Sequence, residues 1–178
     1  MTTTNTILSL FVNTWGNYNE NGAAGGEWIH LPMDEDELTA ELERIAEAMG
    51  DHDPEWAIHD YEWEGAEGRT VSEYESIFEL NEYAARLADL TSYELTIYEA
   101  ACEIWGSDVD IDDLDSYNLY TDITDDYDLG YYWAVDSGCY DLDKMGNLAN
   151  YFDYEAFGRD IRLESCGGFS SFGWIERT

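Results

Sequence analysis

Forty-one acidic side chains stand against seven basic ones in 178 residues, a formal net charge of −34, and this excess governs what the chain can fold into. Self-repulsion on that scale opposes compaction, and chains that combine it with few apolar residues stay unfolded. Here the apolar fraction is 44% and the aromatic fraction 15%, enough to bury a core. The acids are not a tail on a neutral domain. Residues 1–70 hold 16 acids and 2 bases, residues 71–112 hold 11 and 1, and residues 113–178 hold 14 and 4, with no Lys or Arg between Arg86 and Lys144. A folded surface of this sign repels nucleic acid and anionic membrane faces and attracts basic proteins.

Hydrophobic periodicity predicts an α+β chain of three small domains, 1–70, 71–112 and 113–178. In the first, Ile7–Val12, Glu27–Leu31 and Trp56–Glu62 read as strands, and Asn17–Gly26 (NYNENGAAGG) reads as a turn or exposed loop. Asp34 opens a helix whose apolar face is Leu38, Leu42, Ile45 and Met49, with Gly50 at its end. The middle domain is expected to be a helical pair. Thr70-x-x-Glu73 and Ser72-x-x-Glu75 are both capping-box patterns for its first helix, and Thr91-x-x-Glu94 opens the second. In the third, a strand is expected within NLYTDI, a helix over Asp125–Val135, partial helix over Gly146–Gly158, and closing strands at Ile161–Glu164 and Phe169–Glu176. Gly167 and Gly168 read as a turn.

No motif points to catalysis or a cofactor. Asp108, Asp110 and Asp112 match the first three acidic positions of an EF-hand loop. The position that needs Gly is Asp113, and the one that needs Glu is Leu119. His30, His52 and His59 form neither a zinc-protease nor a zinc-finger spacing with Cys102, Cys139 and Cys166, so no metal site is expected. Three cysteines without CxxC spacing read as reduced thiols. Nucleophile-elbow, P-loop and dinucleotide-binding glycine patterns are absent. The aromatic residues lack the basic groove that a nucleic-acid stacking platform requires. The opening MTTTNTILSLFVNTW has no basic segment and too short an apolar run for a signal peptide or membrane span, which predicts a cytoplasmic protein.

Several segments resemble the ArdA family of antirestriction proteins. They are LFVNTWGNYNENG (Leu10–Gly22), GGEWIHLP (Gly25–Pro32), WAIHDYE (Trp56–Glu62), SIFELNEYA (Ser76–Ala84) and NYFDYEAFGRDI (Asn150–Ile161). The resemblance implies an elongated three-domain α+β protein carried on mobile elements, cytoplasmic and homodimeric. It implies a non-enzymatic inhibitor of type I restriction-modification enzymes that imitates bent B-form DNA in the channel of the specificity–methyltransferase core. It implies no cofactor.

The charge fits that implication. Duplex DNA carries one charge per ~1.7 Å of axis, so 34 charges correspond to at most roughly 58 Å of duplex. On this reading the phosphate surrogates are Glu35, Asp36, Glu43 and Glu47 on the first helix and Glu75, Glu79 and Glu82 on the second. Asp108, Asp110, Asp112, Asp113, Asp115, Asp122, Asp125, Asp126 and Asp128 follow. Tyr131, Tyr132, Trp133 and Tyr140 are the expected dimer contacts, and Arg159 and Arg162 are expected to pair with nearby acids. Two rival readings share the composition: a halophilic cytosolic protein, and an acidic decoy for another basic DNA-binding protein.

Overall fold

The computed structural model describes residues 6–64, 69–106 and 109–178, and shows two compact units, Met1–Thr91 and Ser92–Thr178, both α+β. The first is built on strands β1 (Leu8–Thr14), β2 (Glu27–Leu31) and β3 (Trp56–Trp63) in the antiparallel order β2-β1-β3. The register between β1 and β3 shifts at Phe11/Val12, a bulge in an otherwise regular ladder. Leu8, Leu10 and Val12 alternate along β1 and are fully buried. They meet Leu38, Leu42 and Ile45 of helix α2 (Glu35–Met49) and Ile77, Leu80 and Ala84 of helix α3 (Ile77–Asp89). Asp34 caps α2 by accepting from Asp36 N, and Gly50 ends it in the left-handed region at φ 73°.

Two local expectations change. Trp15–Asn21 is a short helix, α1, which takes in Asn17–Asn21 of the segment read as a loop. Thr14 Oγ1 accepts from Asn17 N at 3.1 Å. The amides of Asn13, Asn17 and Asn21, four residues apart, then bond in series at 2.9 Å each. Asn13 and Asn17 also donate to Gly22 O and Ala24 O, so polar residues that favour loops here satisfy a buried turn. Helix α3 starts later than the two capping boxes suggest. Ser76 is its N-cap, accepting from Glu79 N, while the Glu75 carboxylate accepts from Ser72 N in an isolated turn before it. Asn81 of α3 reaches back and bonds both backbone groups of Met33, at 2.9 Å to N and 2.8 Å to O.

The second unit contains helix α4 (Ser92–Trp105), strands β4 (Tyr117–Tyr120), β5 (Gly167–Ser170) and β6 (Gly173–Arg177), and helices α5 (Asp126–Tyr131) and α6 (Tyr154–Glu164). The sheet order is β4-β6-β5, all antiparallel. Alternation on β6 gives the sheet two apolar faces. Trp174 points into a cluster with Ile123 and Leu129, joined by Tyr120, Tyr132, Trp133, Ile161 and Phe169, while α4 packs on the sheet with Ile104 against Gly168. The two helices expected to form a middle domain are thus divided, α3 in the first unit and α4 in the second.

Gly167 and Gly168 are strand residues, not a turn. A Cβ at Gly167 would lie 2.5 Å from the Trp174 ring, and one at Gly168 would lie 2.9 Å from Ile104. Glycine is present because flanking side chains leave no room. Ile161–Glu164, expected as a strand, is the last turn of α6, and the closing strand is a hairpin of β5 and β6 joined at Ser171–Phe172. Helix α5 passes into one wide π turn, Tyr132–Asp136, and the segment Leu142–Tyr151 is a pair of tight turns broken at Gly146.

Helices α5 and α6 cross at Gly130 and Gly158. A Cβ on either glycine would strike the other helix's backbone, 2.6 Å from Gly130 N in one case and 2.8 Å from Gly158 N in the other. Arg162 then binds Asp126 through two hydrogen bonds, 2.7 Å from Nε and 3.0 Å from Nη2. This places a cation in the last turn of α6 and an anion in the first turn of α5, each favoured by the helix dipole.

Candidate functional site

The surface carboxylates form the candidate site. Helix α2 carries six acids, Glu35, Asp36, Glu37, Glu41, Glu43 and Glu47, within 15 residues. At ~1.5 Å per residue that is about 22 Å, or one carboxylate per about 4 Å of axis. A single DNA strand presents one phosphate per ~3.4 Å. Glu35, Asp36, Glu43 and Glu47 are all exposed, as are Glu79 and Glu82 on α3. In the second unit Asp110, Asp112, Asp113, Asp115, Asp122 and Asp125 are exposed. Asp108 lies outside the described residues.

Three of the expected surrogates are half-buried and engaged. Glu75 is paired with Arg69. Asp126 is held by Arg162, whose hydrogen bonds keep its carboxyl below the usual carboxylate range. Asp128 Oδ2 accepts from Thr124 N and Oγ1. Two exposed acids have local duties as well: Asp125 caps α5, and Asp110 accepts from Asp112 N in the turn that follows.

None of the seven basic side chains, all among the described residues, is free. Arg44 bridges Glu27 and Glu41, Lys144 pairs with Asp141, Arg159 lies near Asp160, Arg177 near Asp113, and Arg86 is engaged too. The hydrogen bond from Arg44 holds the Glu41 carboxyl low. Pairing on this scale leaves most acids without a partner cation.

Several carboxylates sit where folding disfavours them. No base occupies the last turn of α2, α4 or α5, and Glu47 lies at the C-terminal end of α2, facing the negative end of the dipole, whereas Glu103 in the last turn of α4 is engaged, accepting from Ser171 N and Oγ. Glu43 and Glu47 repel one another one turn apart. Burial, with Glu103 one turn on, raises the Glu99 carboxyl above its ordinary range.

Sequence reasoning missed the acids of α6. Glu155, Asp160 and Glu164 are exposed there, but reading Ile161–Glu164 as a strand hid their shared helix. Asp136 was missed as well, although it follows Tyr132 at the four-residue step that continues α5. Of the four expected dimer contacts, Tyr131 and Tyr140 are exposed, whereas Tyr132 and Trp133 pack against the Ile123–Leu129–Trp174 cluster. Tyr140 meets Phe157 edge to face, with Met145, Leu148 and Tyr151 exposed along the following segment.

The three cysteines are free thiols. Among the described residues no helix is long and apolar enough to cross a membrane. A family model for antirestriction protein (ArdA) matches residues 10–176. A comparison with curated proteins found no match.

Proposed function

The chain belongs to the ArdA antirestriction family, whose members act against restriction-modification enzymes, and we propose that it does so as a non-enzymatic mimic of DNA. Its carboxylates stand in for phosphates in the DNA-binding groove of the specificity–methyltransferase core of a type I enzyme. The observation that carries this reading is the surplus of acids on α2, six in 15 residues with Arg44 the one base among them, at an axial density close to that of one DNA strand. Contacts to phosphates carry little sequence information, so such an inhibitor acts on enzymes with different target sequences. We place the protein in the cytoplasm, where its target works. The implied homodimer would form through Tyr140 and the exposed Met145, Leu148 and Tyr151, apolar groups gathered within one short stretch of chain.

The test is competition for DNA binding by a purified type I methyltransferase core, read by fluorescence anisotropy of labelled DNA. Each of Glu35→Gln, Asp36→Asn, Glu43→Gln and Glu47→Gln alone should weaken the block by about twofold or less, as for exposed ion pairs, and all four together by about tenfold or more. If six to ten cations are neutralised, affinity falls by about 10³–10⁵ between 50 and 200 mM salt. Complete loss of inhibition from one exposed neutralisation, with the protein still folded, would refute distributed mimicry.

A further inference from the structure

A cavity of about 560 Å³ opens in the second unit, and its wall mixes carboxylates with tyrosine faces. Asp122, Asp128 and Asp136 supply the acids, and Tyr127, Tyr131 and Tyr132 the rings. The arrangement follows from local structure. Tyr127 and Tyr131 are four residues apart on α5, and their rings stack 6.4 Å between centroids. Asp128, Tyr132 and Asp136 continue at the same step into the π turn. Tyr132 is anchored by Tyr120 and Trp133, at 5.2 and 5.8 Å, so the wall is held from behind.

The cavity has no cation of its own. None of the chain's basic side chains lines it, and Arg162, the base that binds α5, is occupied by Asp126. Asp122 and Asp136 make no ion pair with any described residue. The three carboxylates do not converge as a metal site does: no three His, Cys, Asp or Glu side chains are so grouped among the described residues. What suits separated acids and aromatic faces is a flat, extended organic cation.

We propose that this cavity receives an arginine side chain of the basic partner. The guanidinium lies along the tyrosine faces, and its N–H groups donate to Asp122 and Asp136. Arginine is preferred to lysine because its cation is planar, weakly hydrated and carries several donors in fixed directions. This rests on the proposed function and sharpens it: one cation of the target is read individually, in addition to the summed field.

Two measurements test it. In the first, N-acetyl-arginine amide and N-acetyl-lysine amide are titrated separately into the protein while tyrosine ring resonances are followed by NMR. The arginine probe should shift Tyr127, Tyr131 and Tyr132 more than the other tyrosines, and more than the lysine probe does. Tyr131→Leu, which keeps an apolar wall but removes a π face, should reduce that preference. In the second, the DNA-binding competition compares Asp122→Asn/Asp136→Asn with Glu79→Gln/Glu82→Gln, a control that removes equal charge from α3. The cavity pair should weaken the block at least about tenfold more than the control. Equal effects of the two pairs, or equal ring shifts from both probes, would overturn the arginine site while leaving distributed mimicry in place. If the parent protein fails to block DNA binding, the proposed function falls, and the NMR titration alone then decides the cavity.

Discussion

Replacing Gly158 by alanine tests whether the α5–α6 crossing is as close as the geometry requires. The added Cβ would lie 2.6 Å from Gly130 N and closer still to Asp126 O, both backbone atoms that cannot swing aside. Ordinary contact needs about 3.5 Å, so the helices must part by about 1 Å or more. Alanine gains about 1 kcal/mol over glycine in a helix interior. Against this, overpacking costs about 1–3 kcal/mol. Parting the helices also stretches the 2.7 and 3.0 Å bonds between Arg162 and Asp126, a solvent-screened pair that adds little to the cost. The net expectation is destabilisation by about 1–2 kcal/mol. Urea unfolding measures the total, and hydrogen exchange locates it: amides of β4 and β6 should lose protection while those of β1 and β3 keep theirs. Gly130→Ala should do the same, and the double variant should cost less than the sum because one parting relieves both clashes. If Gly158→Ala proves as stable as the parent or more so, helix propensity outweighs contact and the crossing is not close.

Two further outcomes follow from the hydrogen bonds and the titrating groups. Asn81→Ala strands both backbone groups of Met33 and should cost about 2–4 kcal/mol in urea unfolding, with the loss confined to the first unit. Stability against pH should show opposing contributions. Asp126 has a depressed pKa, so its contribution is present above the ordinary carboxylate pKa and fades as pH falls through its lowered value; Asp126→Asn removes that acid-side loss. Glu99 is raised, so it opposes folding at neutral pH and is relieved on acidification, and Glu99→Gln should raise the melting temperature at pH 7 more than at pH 4.

Elements carried by unbroken periodicity were legible from the sequence. The face Leu38–Leu42–Ile45, opened by Asp34 and closed by Gly50, is such a case, as is β2 at Glu27–Leu31. What escaped depends on groups distant in sequence or on competing local signals. The run of Asn from 13 to 21 has loop composition, and only its four-residue spacing reveals the amide series of α1. The true cap, Ser76 with Glu79, was overlooked beside the two capping patterns upstream, because spacing alone does not say which one opens the helix. Gly167 and Gly168 looked like a turn because the Trp174 and Ile104 side chains that exclude a Cβ arrive from other elements. In the site, an exposed acid such as Glu43 was readable from its helix face. The engagement of Asp126 was not, since Arg162 lies 36 residues away.

The internal engagement of every base bears on how this molecule meets its own kind. Two copies of so acidic a chain repel one another, so the proposed self-contact relies chiefly on apolar groups and is helped when electrolyte shields their like fields. A cation-rich target is lost under that same shielding. Ionic strength therefore separates the two proposed assemblies, favouring a self-complex under conditions that weaken the one with a cation-rich target.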